Sequence, residues 1–120
     1  MPVVRKQPLK MIDLIGRPFS EVKCWDLVRI IYDRLGKPLP DYAEMLDGGT
    51  VCSTLVEEID TLEKYAIFTF DLQGTGNITH VGIYMGGNRL LHATEASGVC
   101  VERFARYASR LKAIYRRKDD

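Results

Sequence analysis

The sequence has little of what most often announces a function. It has no excess of charge of one sign: 17 Lys and Arg against 16 Asp and Glu leave a formal net charge of +1. That gives no electrostatic basis for holding nucleic acid or an anionic membrane surface. No apolar run reaches the roughly 20 residues that cross a bilayer. Histidines number two and cysteines three, and Cys24, Cys52 and Cys100 show no C-x-x-C spacing. A structural zinc site usually carries paired short spacings, so no metal and no cofactor is expected. The odd cysteine count leaves at least one thiol outside any intrachain bridge, and reduced, buried thiols are the expectation for Cys52 and Cys100. The opening MPVVRKQPLKMIDLIG lacks the apolar stretch and small-residue cleavage site of a secretory signal. The expected location is therefore the cytoplasm or a larger particle. There is no internal repeat and no low-complexity tract.

What is there is a globular composition. The chain has 120 residues, 46% of them hydrophobic and 28% charged, which suits one domain over residues 1–120. A chain of this size buries about two thirds of its unfolded surface, enough for a core without staples. The pattern changes once. Ser20 can cap a helix that opens at Glu21, and Leu27, Val28, Ile31 and Leu35 follow at helical spacing. Gly36 suits the position just past the helix, and Pro38 forbids its continuation. Short helices are expected over Tyr42–Met45 and Thr54–Leu62. From Ala66 the period becomes two, through Phe68, Phe70 and Leu72, then Val81, Ile83 and Met85, then Leu90–Thr94, Val99–Arg103 and Leu111–Arg116. Helix first and strands after predict an α+β fold, one main helix on an antiparallel sheet of about five strands.

The residues that suggest chemistry are Cys24, His80 and His92, in that chain order. A cysteine near a helix N-terminus feels the positive end of the macrodipole, which favours thiolate, and Lys23 adds to this. A thiol nucleophile needs a base, and histidine titrates near neutral pH. A base in turn needs a third group to hold it. Each residue alone has an ordinary reading: a buried cysteine is a small hydrophobe, and a histidine at a strand start is a surface residue. Geometry constrains the pair. A plain two-residue turn at Gly87-Asn88 would set His80 and His92 on opposite faces. They can work together only if the loop holds an odd number of residues or a bulge shifts the register.

HVGIYMGGNRLLHA resembles the second half of the NlpC/P60 cysteine peptidases. CWDLVRIIYDRLGKPLP resembles that family's nucleophile helix, and the likeness runs from about Ile15 to Arg117. The resemblance implies a papain-like α+β domain in which Cys24 is the nucleophile, His80 the general base and His92 the third polar residue. It implies hydrolysis of peptide bonds in bacterial cell-wall peptides, commonly the bond from D-γ-glutamyl to a diamino acid, with no metal or organic cofactor. Phe19, Lys23, Trp25 and Asp26 surround the nucleophile where the family carries other residues, and they are the candidate substrate contacts. Trp25 reads either as a wall of the cleft or as a core anchor, and its place beside Cys24 favours the wall.

Three functions follow. The first is a peptidase of peptidoglycan stem peptides. Its Cys-Trp start resembles members found in phage or prophage tail-assembly proteins, so tail-tip proteins are expected partners. The second is a non-catalytic structural module of a tail or cell-wall complex. The third is a thiol amidase or acyltransferase acting on a small molecule. No nucleic-acid partner and no membrane span are expected.

Overall fold

The computed structural model describes residues 11–41, 46–47, 50–51 and 55–118. Helix α1 spans Cys24–Arg34. It begins at Cys24, not at Glu21, because Pro18 draws the preceding residues into their own turn. The Glu21 and Val22 N–H groups both donate to the Pro18 carbonyl, at 2.9 and 3.1 Å. Lys23 is therefore the N-cap, and the first helical bond runs from the Leu27 N–H to the Lys23 carbonyl at 3.0 Å. The Asp26 carboxylate accepts the Lys23 N–H at 3.1 Å. This is half of a capping box; a lysine ammonium has no lone pair with which to complete it. At the other end Gly36 takes φ +77°. The Gly36 N–H bonds to the Asp33 carbonyl at 3.1 Å and the Lys37 N–H to the Tyr32 carbonyl at 2.9 Å, the paired closure that a glycine past the helix end permits.

A two-stranded ribbon, β1 (Leu46–Asp47) and β2 (Thr50–Val51), precedes the main sheet. The main sheet has six strands, β3 (Val56–Ile59), β4 (Ile67–Phe70), β5 (His80–Gly86), β6 (Arg89–Thr94), β7 (Gly98–Arg103) and β8 (Leu111–Arg117). Their order is β3-β8-β4-β5-β6-β7, and every neighbouring pair is antiparallel. The strand beyond the expected five is β3, which falls where Thr54–Leu62 suggested a short helix. Val56 and Ile59 pair with Arg117 and Ile114 of β8, and Arg116 holds Glu57 at 2.7 Å. Sheet pairing overrides a weak helical pattern here, and the two glutamates keep this edge strand charged. The helix expected over Tyr42–Met45, and Cys52, lie outside the described residues.

The sheet is buried on both faces. One face packs Ile67, Val81, Ile83, Leu91, Ala93 and Val99 against Leu27, Val28, Ile31 and Tyr32 of α1. The other holds Phe68, Phe70, Tyr84, Leu90, Phe104 and Ile114. Phe68 stacks on Tyr84 with centroids 4.8 Å apart, and Phe104 meets Phe68 edge-on at 4.9 Å. All four residues of β4 are buried, so its alternation separates two cores and not core from solvent. The edge at β7 is closed by the N-terminal segment: the Gly16 N–H donates to the Val99 carbonyl at 2.8 Å, and the Val99 N–H to the Arg17 carbonyl at 2.9 Å. No helix among the described residues is long and apolar enough to cross a membrane.

Candidate active site

The hairpin joining β5 and β6 decides which face each histidine takes. Its turn residues Gly87 and Asn88 have positive φ, +57° and +61°, as a tight two-residue turn requires. The pairing is Ile83↔Leu91 and Tyr84↔Leu90, then Gly86↔Arg89, with a register shift between Tyr84 and Gly86. That bulge is the irregularity the two histidines need in order to share a face. His80 Nε2 and His92 Nδ1 lie 2.8 Å apart in a hydrogen bond. Gly82 makes room for it: a Cβ there would stand 3.1 Å from the His92 Cβ and 2.9 Å from Leu90 Cδ1. His92 is fully buried and His80 is 8% exposed. They share the aromatic face, with Phe70 5.9 Å from His80 and Tyr107 5.0 Å from His92, centroid to centroid.

Cys24 comes from the other face. The Tyr84 N–H donates to the Ala66 carbonyl across to β4 at 3.0 Å, so by alternation the Val81 N–H points towards β6. The β5–β6 pairing stops at Ile83↔Leu91. In that opening the Val81 N–H lies near enough to the Cys24 thiol to favour its charged form. The first residue of α1 therefore sets its thiol near the start of β5. Among the described residues no buried side-chain nitrogen lacks a partner. His80 spends its Nε2 on His92, so its Nδ1 is the nitrogen that reaches the surface and is free to take a proton.

The flanking residues divide. Trp25 is 5% exposed, packs in the helix-side core and donates its indole N–H to the Pro40 carbonyl at 3.2 Å. This corrects its reading as a cleft wall: residue 25 lies one helical step from the nucleophile and faces inward with Val28. Asp26 caps the helix start. Lys23 is exposed and lies 5.5 Å over the half-buried Phe19 ring, so these two remain at the rim.

A residue that sequence reasoning missed completes the cluster. Glu102 Oε1 lies 2.8 Å from His92 Nε2. The same oxygen accepts the Tyr107 hydroxyl at 2.8 Å, and Arg106 holds Oε2 at 2.8 Å. On β7, Cys100 stands opposite His92 and Glu102 opposite Leu90, which puts both on the histidine face. The available signal was an acidic residue at an inward position of the Val99–Arg103 alternation. His92, Cys100 and Glu102 offer ligand atoms within 4.8 Å of one another, so they are the residues that could hold a cation. To do so His92 would have to surrender its hydrogen bond to His80 or to Glu102. Cys24 and Cys100 are free thiols.

The electrostatics differ from the thiolate expectation. Burial pushes the Cys24 thiol above its ordinary 9.0, and the N–H groups of Val81, Trp25 and Cys24 itself offset only part of this. Burial first, and then the neighbouring His92, pulls His80 down to about 4. Burial also lowers His92, against the opposing pull of Glu102. Both shifts favour the neutral thiol and the neutral imidazole. A helix dipole worth at most about 2 kcal/mol does not overcome desolvation at this depth.

The lowered His80 value makes stability depend on pH. Between its ordinary 6.5 and about 4 the unfolded chain holds a proton that the folded chain refuses, so stability falls as pH drops through that window and levels off below it. The loss from His80 reaches about 3 kcal/mol at most. Denaturant unfolding of His80→Gln, which keeps a donor towards His92, is expected to show a flatter slope between those limits than the parent. Parallel slopes would show that His80 does not carry the dependence.

The sequence model of the NlpC/P60 family matches residues 14–116. Among solved structures the chain superposes on an NLP/P60-family protein from Staphylococcus aureus described as similar to lipoprotein, with TM-score 0.63, 24% identity, 88% of this chain covered and 35% of that one. It superposes on the NlpC/p60 domain of the peptidoglycan hydrolase SagA with TM-score 0.61, 18% identity and coverages of 85% and 88%. It also superposes on NlpC1 from Trichomonas vaginalis, with TM-score 0.56, 26% identity and coverages of 77% and 33%. The chain thus spans about a third of the length of the first and last of these. No curated protein matches it.

Proposed function

The chain belongs to the NlpC/P60 family, and from that premise we propose that it is a cysteine peptidase cutting the stem peptides of bacterial peptidoglycan. Cys24 is the nucleophile, His80 the general base and acid, and His92 the residue that orients His80. The observation that carries this reading is the 2.8 Å bond that ties His80 to His92, at the start of a strand whose Val81 N–H acts on the Cys24 thiol. The peptidoglycan assignment rests on the family and on the name of the SagA domain, a peptidoglycan hydrolase. The bond proposed is the one from D-γ-glutamyl to a diamino acid.

As the Cys24 sulfur bonds to the scissile carbonyl carbon, its proton passes to His80 Nδ1. The carbonyl oxygen gains the charge, and the N–H groups at the start of α1 are the donors available to it; one such donor is typically worth about 3 kcal/mol. The C–N bond then breaks, and the His80 proton goes to the leaving amine. Water gives a proton to His80 Nδ1 and attacks the thioester, and that proton returns to sulfur as the acid leaves. Because thiol and imidazole both start neutral, proton transfer accompanies attack and does not precede it.

Digestion of purified peptidoglycan, with new amino termini read by mass spectrometry, tests the function. Release of new diamino-acid termini supports it. Intact peptidoglycan with a folded protein sinks it in favour of a structural module. Alkylation separates the two resting states of the site. Iodoacetamide is expected to label Cys24 slowly at pH 6 to 7, with the rate climbing about tenfold per pH unit and still climbing at its ordinary 9.0. Fast labelling at pH 6 would mean a preformed thiolate–imidazolium pair.

The setting proposed is a phage or prophage tail tip. It is supported by the likeness of the Cys24-Trp25 start to tail-assembly members. Mass spectrometry finding the chain in purified virions upholds that setting, and finding it only in host cytosol rejects it.

A further inference from the structure

Glu102 lies outside the Cys-His-His set, yet its contacts determine what that set can do. We infer that Glu102 is a positioning residue that, by accepting the His92 Nε2–H, fixes the direction of the His80–His92 hydrogen bond and leaves His80 Nδ1 as the base. The role rests on the peptidase reading, since it concerns which nitrogen takes the Cys24 proton.

The argument is a forced chain of donors and acceptors. An ionised carboxylate only accepts. Burial pushes the Glu102 carboxyl up, but the Tyr107 and His92 hydrogen bonds and the Arg106 charge together bring it below its ordinary value, so it is ionised. Tyr107 is held up to about 12, by burial and then by Glu102, and stays a donor. At 2.8 Å from Glu102 Oε1, His92 Nε2 must therefore carry a proton. A neutral His92 then has a lone pair on Nδ1, so the 2.8 Å contact to His80 is donated by His80 Nε2–H. A neutral His80 with its proton on Nε2 has a lone pair on Nδ1, the nitrogen that takes the thiol proton. Reversing any one link reverses all of them: a proton on His92 Nδ1 would place one on His80 Nδ1 and remove the base. His92 alone cannot choose between these arrangements, because an imidazole both donates and accepts. Glu102 chooses, and Tyr107 and Arg106 hold it in place. Cys100, 3.9 Å from Glu102 Oε1, is the remaining titratable group facing the carboxylate.

The test uses the fact that the chain has only two histidines. Long-range 1H–15N spectra of ¹⁵N-histidine-labelled protein at pH 7 assign the tautomer of each ring without any substrate. The parent is expected to show both rings protonated on Nε2 only. Glu102→Ala is expected to show His92 exchanging between tautomers, with kcat lowered on the order of 10²-fold and KM little changed, as for removal of a partner behind a ligand or catalytic histidine. Glu102→Gln, whose carbonyl can accept the same proton, is expected to regain part of the loss and guards against misfolding of the alanine variant. His92 protonated on Nδ1 in the parent overturns the inference, as do unchanged tautomers in Glu102→Ala. An inactive parent with both rings protonated on Nε2 refutes the peptidase reading alone. An active parent with the opposite tautomers refutes the role of Glu102 alone.

Discussion

Replacing Cys24 or His80 by alanine is expected to lower kcat/KM on stem peptides by at least about 10⁴-fold each, and replacing both is expected to lower it no further. The equality of single and double losses is the informative part. A buried thiol held above its ordinary value is a poor nucleophile until its proton has somewhere to go, and the histidine has nothing to do without the sulfur. Two groups that act in one proton transfer fail together. The comparison is made at pH 7, well above the His80 value of about 4, so protonation of the base does not obscure it. Cys24→Ala removes a half-buried sulfur and is expected to cost on the order of 1 kcal/mol of stability. His80→Ala leaves His92 Nδ1 without its 2.8 Å partner, so its folding is checked by circular dichroism before its rate is read. A single variant retaining a tenth of the parental rate would remove that residue from the chemistry. Losses that multiply in the double variant would mean that the two act independently.

The sequence carried the strands from Ala66 onward and the inward stripe of α1, because both rest on periodicity and each period matched the element formed. It also carried a condition on the histidines. Opposite faces follow from a plain turn, and the register shift between Tyr84 and Gly86 is the departure that brings them together. What it did not carry were features set by partners distant in the chain. Strand β3 exists because β8, at the far end of the sequence, lies beside it. Trp25 faces the core because the segment after α1 returns to place the Pro40 carbonyl against its indole. Glu102 looks like one charge in an alternating strand until β6 sets His92 diagonally across from it. The thiolate expectation meets an opposing effect for a related reason. A macrodipole is local and legible from a helix start, whereas desolvation of Cys24 comes from the sheet beneath it and is legible only in three dimensions.

Gly98→Ala is expected to be among the most damaging changes in the chain, by about 3 to 5 kcal/mol, far more than loss of a single methyl-sized contact. Gly98 opens β7 with φ +68°, and a Cβ there would lie 2.2 Å from the Arg17 carbonyl oxygen, 3.0 Å from the Arg17 carbonyl carbon and 3.1 Å from the Pro18 Cα. The left-handed backbone alone costs an alanine about 1 to 2 kcal/mol. The rest comes from the clash, which is with main chain and cannot be relieved by a rotamer. The N-terminal segment has to move away, and with it go the Gly16–Val99 and Val99–Arg17 bonds that close the sheet edge. Gly36→Ala is the control: its φ is +77° but a Cβ meets nothing within 4 Å, so only the same backbone cost applies, about 1 to 2 kcal/mol. For a chain of this size the two variants should differ in melting temperature by on the order of 10 to 20 °C. The site should feel the difference as well. Residues 16–18 lead through the Pro18 turn to Lys23 and Cys24, so a displaced Arg17 moves the start of α1 relative to β5. Gly98→Ala protein that remains folded at low temperature is therefore expected to lose turnover, while Gly36→Ala, past the other end of the helix, keeps it. Equal melting temperatures for the two variants would mean that the Arg17 approach is not maintained in solution.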